Sequence, residues 1–182
     1  MAEQAYPILF ALFLWWFSTG AIIYLDGLPA RTYRWSLAGA TVLAVIGLFG
    51  IGWSASGTEL HSVYCGFSCA LLAWAWCEMT FLMGVLTGPR RTPCPPGLTL
   101  GQRFRLSVEV LAHHELALLA TGLAVAALSL GAVNRIALET FAILWLMRLS
   151  TKLNIFLGVP NVAAEVLPCL LYTSDAPTNR EV

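Results

Sequence analysis

Two glutamates, two adjacent histidines and an arginine stand inside stretches that are otherwise as apolar as lipid: Glu78, His113-His114-Glu115 and Arg148. Ionisable groups inside a bilayer are rare, paired and usually functional. Their spacing limits the chemistry. Glu109 and His113 are four apart and share a helix face, which permits a hydrogen bond. His113, His114 and Glu115 are consecutive and fan out around a helix by about 100° each, so they cannot converge on one atom unaided. There is no HExxH, so the zinc-protease template fails, and no Glu-x-x-His pair of the di-iron kind. No histidine cluster supports a membrane desaturase. The sequence therefore holds no metal site. A neutral imidazole such as His114 could serve as axial ligand to a haem or chlorin. Alternatively, both histidines tie helices together through hydrogen bonds. Glu78 with Arg148 reads as an ion pair, structural or functional.

The elements that must position these groups are membrane spans. The chain has 182 residues, 58% of them hydrophobic and 11% charged, with a mean hydropathy of +0.75. A globular domain carries about 25% charged residues. The formal net charge is zero, which argues against nucleic acid as a partner. The cysteines, Cys65, Cys69, Cys77, Cys94 and Cys169, form no disulfide or metal framework and read as small packing residues. Five segments approach the roughly 20 residues a spanning helix needs: 6–25, 37–53, 60–87, 104–130 and 135–157. The first is too long, and its start too free of Lys and Arg, to be a signal peptide. Gly, Pro, Asn and Ser clusters break the chain between spans. This is an all-α, polytopic fold, with 1–168 as the membrane domain and 169–182 as a polar tail.

Basic residues set the orientation. Arg31 and Arg34 lie in the first loop, and Arg90, Arg91, Arg103 and Arg105 in or beside the third. By the positive-inside rule these loops are cytoplasmic and the N-terminus periplasmic. The third loop, too rich in proline for helix, reads as a basic topology anchor for anionic headgroups. Counted from the inner ends of their spans, Glu78, His114, Glu115 and Arg148 each lie nine or ten residues deep, or about 15 Å. Glu78 is then expected to face His114-Glu115 across an antiparallel pair. Arg148, which cannot lose its proton, is expected to pair with Glu78 or Glu115. Lys152 is close enough to the end of its span to snorkel outward.

Four stretches carry a resemblance. They are Trp15-Trp16-Phe17-Ser18-Thr19-Gly20-Ala21; Glu78-Met79-Thr80-Phe81-Leu82 running into Thr87-Gly88-Pro89-Arg90-Arg91; Cys94-Pro95-Pro96-Gly97 with Arg103-Phe104-Arg105 and His114-Glu115; and Leu144-Trp145-Leu146-Met147-Arg148-Leu149-Ser150 with Lys152-Leu153-Asn154 and Phe156 to Asn161. Together they resemble the photosynthetic complex assembly protein 2 family, known from photosynthesis gene clusters of purple bacteria. In that family the residue before Glu78 tends to be histidine, where this chain has Cys77. The family also continues with more membrane sequence where this chain, after residue 168, turns polar. The expectation is a C-terminal truncation with residues 169–182 non-native.

The resemblance implies a non-catalytic, multi-pass protein of the bacterial inner membrane that helps assemble the reaction centre and its light-harvesting ring. Its partners would be the bilayer and those subunits, with bacteriochlorophyll as the candidate cofactor. The spans would meet partner helices or pigment through small and aromatic residues, Gly84 and Gly88 among them. A competing reading is a proton or small-solute transporter with Glu78, His114, Glu115 and Arg148 as its relay. A third is a membrane enzyme using His114 and Glu115 as base and acid, although no nucleophile or cofactor motif accompanies them.

Overall fold

The structure, a computed structural model, describes residues 2–89 and 99–156. Among these residues there are five α-helices and no strand: α1 (Ala2–Asp26), α2 (Tyr33–Ser54), α3 (Leu60–Leu82), α4 (Leu100–Leu128) and α5 (Ile136–Phe156), with a 3-10 turn at Ala30–Thr32 leading into α2. Hydrocarbon offers the backbone no hydrogen-bond partner, so a spanning segment must satisfy its own amides, and helix does this within one segment. α1 to α4 are long and apolar enough to cross a membrane. α5 has the length, at 21 residues, but includes Glu139, Arg148 and Lys152. Its place among the spans depends on where those charges go.

The turns follow local chemistry. Gly27 closes α1 by donating to the Ile23 carbonyl at 3.0 Å, and the Tyr33 hydroxyl donates to the Asp26 carbonyl at 2.7 Å across the turn. α4 begins four residues before the expected 104 because Thr99 and Gln102 form a capping box, each side chain accepting from the other's backbone N–H. The larger correction is at α3. A span over 60–87 was expected, but the helix stops at Leu82. Gly84 adopts φ +72°, a left-handed conformation open mainly to glycine, and the N–H groups of Val85 and Leu86 both donate to the Thr80 carbonyl. The chain then runs without helix along α4. A Cβ at Gly88 would sit 1.8 Å from the Glu109 carbonyl oxygen, so the segment can press backbone to backbone only with glycine there. Gly84 and Gly88 therefore do not form a helix face for a partner.

α3 is the central helix. It packs on every other helix, most extensively on α2. Small residues permit that approach: a Cβ at Gly47 would meet the Cys69 carbonyl at 2.8 Å, and one at Gly50 the Cys69 sulfur at 2.4 Å. Cys65 and Cys69 are free thiols 3.7 Å apart. The core runs from Ile51 on α2 through Cys69, Ala70 and Cys77 on α3 to Leu118 and Val125 on α4 and Phe141 on α5. At one end of the bundle Asn134, buried in the α4–α5 turn, ties three helices. Its Nδ2 donates to the carbonyls of Ser54 and Ser62 at 3.1 and 3.0 Å, its Oδ1 accepts from Ile136 N at 3.2 Å, and its own N–H donates to Ala55.

Candidate functional site

Towards the C-terminal ends of α3 and α5, and beside the middle of α4, the charged side chains meet. Arg148 Nη2 lies 3.0 Å from Glu78 Oε2, and Lys152 Nζ contacts Glu115 Oε1. Arg148 and Lys152 are four apart and so share one face of α5. They reach carboxylates on two different helices, and the result is a two-rung ladder with no net charge. This arrangement lets α5 carry its cations inside the bundle. The expected pairing of Arg148 with a carboxylate at its depth forms, with Glu78 as the partner. Depth counted from span ends misplaced Glu78, because α3 ends four residues after it; its neighbours on α4 and α5 are reached by packing.

Phe81, one turn after Glu78, lies against both Arg148 and His114. The Arg148 guanidinium carbon is 5.6 Å from its ring centroid, and the His114 ring is 4.4 Å away, tilted by 33°. His114 is completely buried, and neither ring nitrogen has a hydrogen-bond partner. Glu78, 8% exposed, is likewise left with Oε1 unpartnered, as are Nε and Nη2 of Arg148. Nη2 is thus within ion-pair distance of Glu78 without being aligned as a hydrogen bond. Among the described residues, every buried side-chain polar atom without a partner belongs to these three residues. Such atoms are uncommon in proteins and mark places where the fold leaves polar capacity in reserve.

Several sequence expectations need correction. His113 faces outward, exposed, and stands apart from the buried cluster, since the step of about 100° from His114 turns it off the packed face. The Glu109–His113 contact gives way to an exposed Glu109–Arg105 pair at 3.3 Å, because the guanidinium one turn earlier offers a charged donor. Lys152 does not snorkel; only 13% of its side chain is exposed and it turns inward to Glu115. Its spacing of four from Arg148 was the available signal. Asn134 stands in one of the polar breaks between spans, where the sequence alone gives no sign of its ties to α2 and α3. His114, the candidate axial ligand, is enclosed beneath Phe81 in this structure, with both ring nitrogens buried. Of the basic-loop residues, Arg105 is exposed and Arg103 lies on α4, while Arg90 and Arg91 fall outside the described residues. Among the described residues no group of three or more His, Cys, Asp or Glu side chains could hold a metal ion.

Beside the ladder, a cleft of about 320 Å³ opens between α1, α3 and α5. One face of each helix lines it at helical spacing: Trp15, Ser18, Thr19 and Ile22 from α1; Leu71, Trp74, Ala75 and Glu78 from α3; Leu144, Met147, Arg148 and Thr151 from α5. Three helices thus wall a mainly apolar space with a single ion pair at its side.

Long apolar helices, a central span packed on all the others and charges neutralised in pairs define a polytopic helical membrane protein. Residues 1–174 match the family model described as "Protein of unknown function (DUF3623)", and the chain belongs to that family. It is 37% identical over 163 residues to a Rhodobacter capsulatus protein described as "Uncharacterized 30.4 kDa protein in puhA 5'region". That match covers 86% of this chain and 59% of the relative, so the chain spans about three fifths of the relative's length. No solved structure matches it.

Proposed function

We propose that this chain is the membrane portion of a non-catalytic assembly factor for the bacterial photosynthetic complex, seated in the inner membrane with its N-terminus periplasmic. The observation that carries the reading is the relative placed beside puhA, a photosynthesis gene region; the resemblance to the photosynthetic complex assembly protein 2 family agrees with it. The site adds support of a different kind. Its carboxylates are each engaged by a cation, and among the described residues no group of three or more His, Cys, Asp or Glu side chains could hold a metal ion. In this reading the spans meet reaction-centre or light-harvesting subunits, and handling of bacteriochlorophyll would take place at helix surfaces rather than by ligation to His114.

The test is affinity capture of the tagged full-length protein from photosynthetically grown cells. Reaction-centre or light-harvesting subunits are expected to co-purify, and deletion of the gene to lower complex yield. Normal yield together with no co-purifying subunit would end the proposal. Orientation is tested separately: a membrane-impermeant thiol reagent applied to spheroplasts is expected to miss Cys94.

A further inference from the structure

The cleft between α1, α3 and α5 holds a second message, independent of the assembly reading. α1 packs on α3 and α2, and α5 packs on α3 and α4, so among the described residues the space between α1 and α5 is closed at its back by α3 and opens sideways. A molecule dissolved in the hydrocarbon could reach it without passing through water. The walls are largely aromatic and aliphatic, and the volume of about 320 Å³ is at the lower end for small-molecule sites. That size suits a slender chain, not a macrocycle.

The ion pair specifies the polar part of the occupant. Glu78 engages Arg148 through one oxygen at one nitrogen. Nε and Nη2 are enclosed by protein, so the edge of the guanidinium able to meet a guest is Nη1, on a side chain that is 17% exposed and lines the cleft. An N–H there calls for an acceptor. The acceptor should be neutral, because Glu78 already balances the charge and a second anion in low dielectric would be uncompensated. A carbonyl meets both conditions. We propose that this cleft is a laterally opened binding site for a single-chain hydrocarbon ester without a charged headgroup, with Arg148 donating to its neutral carbonyl and Trp15, Trp74 and Met147 covering the chain.

The experiment uses the full-length protein in detergent with radiolabelled hexadecyl acetate, competed by octadecane, palmitate or a phosphatidylglycerol. Octadecane has the chain without the carbonyl and is expected to compete about tenfold more weakly, the worth of one hydrogen bond to a charged donor. Palmitate tests the charge argument and is also expected to be weaker. Thr19→Trp, on the α1 wall and away from the ion pair, should fill the cleft and abolish specific retention while helicity is unchanged. Arg148→Lys keeps a cation for Glu78 and should shrink the advantage of ester over hydrocarbon several-fold. Equal competition by octadecane, undiminished retention by Thr19→Trp, or displacement by phosphatidylglycerol as effective as that by the unlabelled ester would each overturn the proposal, the last by showing an ordinary bilayer lipid in the cleft. If Arg148→Lys fails to fold, the competitor series and Thr19→Trp still decide.

Discussion

α5 is fastened at both ends, and the two fastenings are built on opposite principles. At its start Asn134 is a neutral amide whose donor and acceptor atoms are all used, on the carbonyls of Ser54 and Ser62 and on the N–H of Ile136. At its far end Arg148 and Lys152 bring formal charges, and five atoms of Glu78, His114 and Arg148 stay without hydrogen-bond partners. A fold that can satisfy a buried amide so fully has no need of charge merely to hold a helix in place. Buried ion pairs often contribute little net stability over apolar packing. The neutral knot therefore reads as structure, and the charged end as the part shaped by something besides stability.

Substitutions can break or sharpen that contrast. The largest effect is expected from Arg148→Ala, which strands Glu78 inside the bundle and should cost about 3–5 kcal/mol where the carboxylate stays charged and less where it takes up a proton, seen as lower protein abundance and a lower thermal midpoint in detergent. Double replacement of Glu78 and Arg148 by Gln and Met should recover most of that stability. If the double variant is stable yet complex yield stays low, the charged end has a role beyond holding helices; full recovery of both would make it structural like the other end. Asn134→Ala comes next, at about 2–3 kcal/mol for carbonyls and an N–H left without their partner, with no rescue by an apolar residue of similar size. Lys152→Ala should cost about 1–2 kcal/mol, because Glu115, 37% exposed and less enclosed than Glu78, can take up a proton without its cation and face the hydrocarbon as a neutral acid. Smallest of all, Arg105→Ala and His113→Ala should leave thermal stability unchanged within error, since both side chains lie on the exposed face of α4. A measurable loss at His113 would mean that the outward face of α4 is packed against something in the membrane.

What the sequence disclosed follows from how local each signal is. Long apolar runs broken by Gly and Pro fixed five helices, and the outlines of α1, α2 and α5 differ from expectation by only a few residues. The end of α3 was missed because hydropathy continues through Val85 and Leu86 while the backbone does not; the left-handed turn at Gly84 leaves no trace in apolarity. Glu78, His114, Glu115 and Arg148 were legible as a group, since a charge in an apolar run has few places to go. Which carboxylate took which cation was not, because that depends on the rotation of α3 and α5 about their axes. Asn134 escaped notice for a related reason: a turn asparagine looks the same whether it caps one helix or ties three together.

The ladder also has a direction in time. Membrane helices emerge in chain order, so α3 and α4 bring Glu78 and Glu115 into the bilayer before α5 brings Arg148 and Lys152. A carboxylic acid can wait in hydrocarbon as the neutral, protonated form, whereas a guanidinium has no neutral form to wait in. The groups that can tolerate solitude arrive first, and the one that cannot arrives to find its counterion in position. Were the signs exchanged along the chain, α3 would have to carry an unpaired arginine through biogenesis, and the same finished ladder would be far harder to build.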